Sequence, residues 1–237
     1  VLRRLPVTAD VPVVLGGSGF AIAPREVLEY TGMRYGLTGD SAENFGPFLD
    51  RILAGREPAD VPGAVYRSNG GITVVPPAGV DLAGMPTPRR RFADHARYFR
   101  EGGQGGVETK RGCSGTCLYC VESAGRGPGT RLRHPESVAA EFEDLLRQDV
   151  TAIHLCDSEF NLPYDHALAV SEALAAVGLA SQMTWYVYAA PAPFDERLAK
   201  AMARAGCAGI NFGVDHGDAG MLRRLGRTHT PEDILSA

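Results

Sequence analysis

Arg111-Gly112-Cys113-Ser114-Gly115-Thr116-Cys117-Leu118-Tyr119-Cys120 puts three cysteines within eight positions, at C-x3-C-x2-C spacing. The stretch follows a short strand pattern, Gly106-Val-Glu-Thr-Lys110, so three thiolates would sit on one loop at a strand's carboxyl end. Gly112 and Gly115 let such a loop wrap closely and leave backbone N–H groups free to face the sulfurs. Zinc is the first rival, but a structural zinc site takes four ligands, usually as two pairs. No second pair follows, and His134, the nearest histidine, lies beyond a glycine-rich stretch. Thiolates favour iron–sulfur clusters, and a four-iron cluster held by three cysteines keeps one iron open to another ligand. Three unligated core cysteines are the remaining alternative. Cys156 and Cys207 stand in apolar runs and read as packing residues.

Working outward, residues 105–237 repeat a strand–helix cycle. TAIHLC, MTWYVYA and AGINFGV alternate with ESVAAEFEDLLRQ, DHALAVSEALAAVG and ERLAKAMARAG. Four cycles about 30 residues apart fit a parallel sheet or barrel built by crossovers. Residues 1–60 also read as α/β: VPVVLGG, PREVLEYTG, RYGLTGD and SAENFGPFLDRILAG give the doubly wound order of strand, Gly-rich turn and helix. Residues 61–104 form a third style, a hairpin turning at Asn69-Gly70-Gly71 and then a Pro-broken linker. At the far end Thr230, Pro231, Glu232 and Asp233 open a helix with an N-cap, a first-turn proline and acidic residues. That helix has scarcely begun, and the first strand wants neighbours before it, so the sequence is expected to be part of a longer chain.

The 237 residues carry 24 basic and 28 acidic side chains, a formal charge of −4. Such a surface offers nucleic acid no broad basic face, and Arg89-Arg90-Arg91 reads as a solvated loop. No apolar run has the roughly 18 residues of a membrane span, and the amino end has no signal-peptide pattern. Five cysteines, an odd number with three clustered, argue against a disulfide framework and for the reducing cytoplasm.

The cysteine spacing, with Tyr119 directly before the last cysteine, resembles the signature of the radical S-adenosylmethionine (SAM) superfamily. The resemblance implies a partial parallel barrel of six βα units, of which four are present. It implies a [4Fe–4S] cluster on Cys113, Cys117 and Cys120, SAM chelated to the open iron, and Tyr119 beside the adenine. The family's Gly-Gly-Glu-like segment after the second strand corresponds to Leu155-Cys-Asp-Ser-Glu-Phe160, making Glu159 the partner of the SAM amino group, with Asp157 behind it. Residues 211–234 resemble a segment of the cobalamin-carrying subgroup, with Asp215 and His216 where that pattern has Glu and Ser; Asp215 then becomes a SAM contact. His216 reads equally as a capping or an exposed histidine. On the strand TWYVYA, Tyr186 and Tyr188 share one face and Trp185 takes the other, so the tyrosines either line the cavity above the cluster or pack beneath a helix.

The amino-terminal part resembles the second half of the cobalamin-binding domain of that subgroup, its close-approach residues being Gly16, Gly17 and Gly19 after one strand and Gly39 after the next. The fold class expected is therefore α/β: a partial doubly wound, Rossmann-like cobalamin-binding half-domain followed by the first four βα units of a radical SAM barrel. The resemblance implies cobalamin-dependent methylation of an unactivated carbon of a small molecule, with flavodoxin or ferredoxin as electron donor. A subset of the family methylates by a polar route, and that option stays open. Radical rearrangement or cyclisation without methyl transfer is a second reading, and a non-catalytic iron–sulfur or zinc module a third.

Overall fold

The computed structural model describes residues 11–40, 43–122 and 129–237. The chain divides into two compact units, Val1–Val80 with Val121–Gly129, and Asp81–Cys120 with Thr130–Ala237.

The first unit is a four-stranded sheet in the order β1 (Val14–Leu15), β2 (Tyr35–Leu37), β3 (Ala64–Ser68), β4 (Gly71–Val74). The first pair is parallel and the next two are antiparallel. The hairpin read in the connecting segment thus forms, and it adds to the sheet, because Leu37 and Ala64 come into register. Three helices fill the connections, α1 (Ser18–Ile22) and α2 (Pro24–Thr31) between β1 and β2, and α3 (Phe45–Leu53) between β2 and β3. Strand alternation gives the sheet two apolar faces. Ala64 and Tyr66 pack with Phe48 and Ile52 of α3, while Val65 and Ile72 pack with Phe20 and Leu28 of α1 and α2. Pro24 starts α2 in place of an orphan N–H, and Gly32 ends it at φ 68°, its N–H donating to Leu28 O at 3.1 Å.

The second unit carries four parallel strands, β5 (Gly105–Val107), β8 (Ala152–Leu155), β9 (Thr184–Ala189) and β10 (Cys207–Phe212), adjacent in that order. The strand read over Gly106–Lys110 stops at Val107. Lys110–Arg111 (β6) then pairs antiparallel with Arg131–Leu132 (β7). The crossover helices α5 (Pro135–Leu146), α6 (Tyr164–Ala176) and α7 (Glu196–Arg204) cover one face of the sheet. Val107, Ile153, Leu155, Trp185 and Val187 point to it and meet Phe142, Leu145, Leu174, Leu198 and Met202. Trp185 is 1% exposed, and its indole N–H donates to Ala205 O at 2.9 Å, so the ring's one polar group is satisfied inside the core. Two short helices, α4 (His95–Arg100) ahead of β5 and α8 (Ala219–Arg224) after β10, precede α9 (Pro231–Ser236). Thr230 and Asp233 cap α9 reciprocally, as the sequence predicts.

The basic trio departs from expectation at Arg90. Its guanidinium pairs with Glu141, which is 1% exposed inside α5 and also takes Arg133 at 2.7 Å. A carboxylate that deep needs charged partners, and Arg90 is drawn out of solvent to supply one. Cys156 departs in the opposite sense: it is exposed, not packed, because it follows buried Leu155 on the alternating strand. Among the described residues, no helix is long and apolar enough to cross a membrane.

Candidate active site at the cysteine loop

The loop Gly112–Cys120 leaves the carboxyl side of the parallel sheet and is held at both ends. At its start, buried Asp157 beyond β8 accepts from Thr109 N at 2.9 Å, from the Thr109 hydroxyl, and from Lys110 N at 3.3 Å. Lys110, 2% exposed, reaches Gly112 O at 3.4 Å. Burial pushes the Asp157 carboxyl up, against the pull of Lys110 and the Thr109 bonds. The far end docks on the turn after α8: Leu118 N donates to Leu225 O at 2.9 Å, and Gly226 lies flat beneath the loop at φ 76°. A Cβ on Gly226 would stand 2.6 Å from Thr116 O. Gly226→Ala therefore combines left-handed strain with a backbone clash and is expected to cost about 1–3 kcal/mol. Urea unfolding followed by the single tryptophan, Trp185, reads it; an unshifted midpoint would show that the loop does not rest there.

His166 of α6 closes the underside. A carbonyl can only accept, so the neutral ring carries its proton on Nε2 and donates to Thr109 O at 3.1 Å. Burial lowers its pKa, with the Thr109 bond and the charge of Asp157 opposing. The unfolded chain then takes a proton that the folded chain resists, so this contribution is complete above about pH 6.5 and is lost as pH falls through the folded value. His166→Gln should flatten the fall in stability between pH 7 and 5, by at most about 1.4 kcal/mol per pH unit. Parallel stability curves for the two proteins would refute it.

Around the sulfurs, Gly115 N donates to Cys113 Sγ at 3.3 Å. A Cβ on Gly115 would meet Cys113 Sγ at 3.3 Å and Cys117 Sγ at 3.7 Å, so both sulfurs flank the bare side of this glycine. Cys120 is exposed on the same turn, its N–H bonded to Cys117 O at 3.1 Å. Among the described residues no three His, Cys, Asp or Glu side chains converge on a single ion. Three soft thiolates, with N–H donors aimed at two of them, suit an iron–sulfur group in donor chemistry and in the space left by Gly115.

Arg227, absent from the sequence-derived candidates, organises the rest. Its guanidinium donates to Cys117 Sγ at 3.3 Å, to Glu159 Oε1 at 3.1 Å from both Nη atoms, and to Gly213 O. Its Nε lies 2.8 Å from Asp215 Oδ2, an ion pair too bent to count as a hydrogen bond. The Arg227 and Glu159 side chains are only 9% and 12% exposed. Burial pulls the guanidinium pKa down, but Cys117 and the two carboxylates outweigh it, so the charge is held. Burial lifts Glu159 against the pull of Arg227, and Glu159 Oε2 is buried without a hydrogen-bond partner. Asp215 sits at φ 57°, where Asp is among the few residues tolerated, and accepts from Tyr119 OH at 2.8 Å. Burial and that bond push the Tyr119 phenol up to about 12. His216 is exposed, and its Nδ1 accepts from the N–H of Asp218, the N-cap of α8, at 2.9 Å. Glu159, Asp215 and Cys117 thus meet on one cation, and Tyr119 joins them through Asp215.

Tyr186 and Tyr188 lie on the sheet face opposite Trp185, as alternation requires. Both rings meet His154, Tyr186 stacked at 4.5 Å and Tyr188 edge-on at 5.5 Å, and Tyr186 OH donates to Gln104. His154 is absent from the sequence-derived candidates, although it alternates with Ile153 and Leu155 along the chain. Burial lowers its pKa, and its Nε2 is buried without a partner.

In the first unit, Gly16 and Gly17 follow β1, and Gly19 lies in α1. Gly17 takes φ 86°, and Cβ atoms on Gly17 or Gly19 would touch nothing within 4 Å, so this edge presents bare backbone. Gly39 has a local reason to be glycine, because at φ 72° a Cβ would stand 2.6 Å from Pro77 Cβ.

A βα-repeat sheet with a three-cysteine loop at its carboxyl edge defines the class. The radical SAM superfamily model matches residues 107–237, taking in the cysteine loop, Glu159 and Arg227, and the chain belongs to that superfamily. The tryptophan 2-C-methyltransferase of Streptomyces laurentii is 32% identical over 278 aligned positions, 93% of this chain and 46% of that protein. The radical SAM methyltransferase TsrM from Kitasatospora setae, solved with cobalamin and a [4Fe–4S] cluster, superimposes with a TM-score of 0.83 at 31% identity, over 96% of this chain and 47% of its own. OxsB, a cobalamin-dependent SAM radical enzyme, shares the fold at TM-score 0.79 and 18% identity. The chain spans about half the length of the curated relatives it matches.

Proposed function

We propose that this chain is part of a cobalamin-dependent radical SAM methyltransferase that methylates an unactivated carbon of a small molecule. The first unit is then the second half of a doubly wound cobalamin-binding domain, and the second the first four βα units of the radical SAM barrel. The observation that carries the reading is the pair of sulfurs flanking bare Gly115 beside the Arg227–Glu159 ion pair.

Cys113, Cys117 and Cys120 hold the cluster and leave one iron free. Once bound, cluster and cobalamin supply the one-electron and methyl-carrying chemistry that no side chain can. The protein's own work is placement. Glu159 offers a carboxylate to the SAM ammonium, and its unpartnered Oε2 is the atom available for it. Arg227 fixes Glu159 and opposes the rise that burial imposes on its carboxyl, and Asp215 with Tyr119 closes the same rim. Gly17 and Gly19 leave backbone on which a flat macrocycle can rest, a fit to the open edge after β1, and Gly16 leads into them beside Leu37 O; Gly39 contributes by shaping the second turn. His154, Tyr186 and Tyr188 form an aromatic wall for substrate. Electrons come from a flavodoxin- or ferredoxin-type donor in the cytoplasm.

The test incubates the full-length reconstituted protein anaerobically with methyl-labelled SAM, cobalamin and a low-potential reductant. Tryptophan is the first substrate to offer, given the relatives. Cobalamin-dependent formation of S-adenosylhomocysteine with label in the substrate is expected. SAM turnover indifferent to cobalamin would contradict methyl transfer and favour rearrangement.

A further inference from the structure

One cation, Arg227, touches both a cluster cysteine and the carboxylate proposed for SAM. We propose that Arg227 is a positioning residue that sets the reduction potential of the iron–sulfur cluster through its hydrogen bond to the Cys117 sulfur. The inference rests on the reading of Cys117 as a cluster ligand.

The side chain has no freedom to act otherwise. Gly213 O, Glu159 and Asp215 hold three sides of the guanidinium, leaving Nη1 aimed at Cys117 Sγ at 3.3 Å. Gly213 is required for that seat, because a Cβ there would stand 2.9 Å from Arg227 Nη2. The seat is dry, with the guanidinium side chain 9% exposed, so its charge is weakly screened. Reduction adds one electron from an external low-potential one-electron donor; no bond breaks and no proton moves. The added negative charge spreads onto the cysteine sulfurs, and a buried cation donating to one of them stabilises the reduced state more than the oxidised. Among the described residues, Cys113 receives a neutral backbone N–H and Cys117 the charged donor.

The same cation also links two sites. Glu159 neutralises part of the charge that Cys117 sees, and a SAM ammonium arriving at Glu159 would compete for that carboxylate. Arg227 would then act on Cys117 with less of its charge offset, so SAM binding should raise the potential.

The experiment is an EPR-monitored redox titration of the anaerobically reconstituted protein, as wild type, Arg227→Gln and Arg227→Lys, each with and without SAM and with iron counted. The Gln variant should keep full iron content but show a lower midpoint potential. Lys keeps the charge and loses the fork, so its potential should fall between the other two. The upward shift on adding SAM should shrink in both variants. If the Gln variant holds no cluster, the Lys variant decides: a lowered potential supports the proposal and an unchanged one overturns it. Full iron content with unchanged potential in both variants also overturns it while leaving the cluster assignment intact. Wild-type protein that takes up no cluster overturns both.

Discussion

Cys113, Cys117 and Cys120 replaced together by Ala should leave a folded protein that retains no cluster, whereas the parent takes up about four irons per chain on anaerobic reconstitution. The effect is all-or-none in the cofactor and small in the fold. The loop is held by Leu118 N on Leu225 O, by the seat on Gly226, and at its base by Asp157, and none of these contacts uses a sulfur. The Cys113 and Cys117 side chains are half-buried and Cys120 is exposed, so truncation opens no core cavity. Single variants are graded in how they fail. Cys117→Ala also removes one acceptor of Arg227 and should disturb Glu159, whereas Cys120→Ala should not. Iron and sulfide analysis with tryptophan fluorescence separates the two effects. A triple variant that binds iron like the parent would remove the cysteine loop from the site.

Glu159→Ala should weaken SAM binding by about 1.5–3 kcal/mol, the usual worth of a charge-assisted hydrogen bond, or roughly 10- to 150-fold in affinity. Glu159 is placed by Arg227 from one side and leaves Oε2 without a partner on the other. A buried carboxylate with one spare oxygen is a ready acceptor for an ammonium, and it is already desolvated. Removing it also strips Arg227 of a counter-charge, so Glu159→Gln is the better control: it keeps volume and one acceptor while losing charge. Equilibrium dialysis on the reconstituted protein gives the affinities. Unchanged affinity with an intact cluster would reduce Glu159 to a structural partner of Arg227.

The local features are legible in the amino-acid sequence alone. Cysteine spacing, strand alternation at Tyr186 and Tyr188, and the Thr230 cap are written in neighbouring residues, and local rules read them. What escapes those rules depends on distance along the chain. Arg227 finds Cys117 across 110 residues and Glu159 across 68, and no pattern near Arg227 announces either partner. Arg90 misleads for the same reason, since a basic trio beside prolines looks solvated until Glu141, 51 residues on, proves to be buried beneath it. The hairpin looks like part of a linker because its pairing with β2 is a register match between distant segments. His154 is the avoidable miss: a lone histidine alternating with Ile153 and Leu155 has to face the other side of the strand, where the tyrosines are.

If the three cysteines hold a cluster, one of its irons is reserved for SAM. Mössbauer spectroscopy of 57Fe-reconstituted protein, recorded before and after SAM is added, tests it most directly. About one iron in four should change its parameters on SAM addition while the other three stay as they were. Four irons that remain equivalent and indifferent to SAM would contradict it.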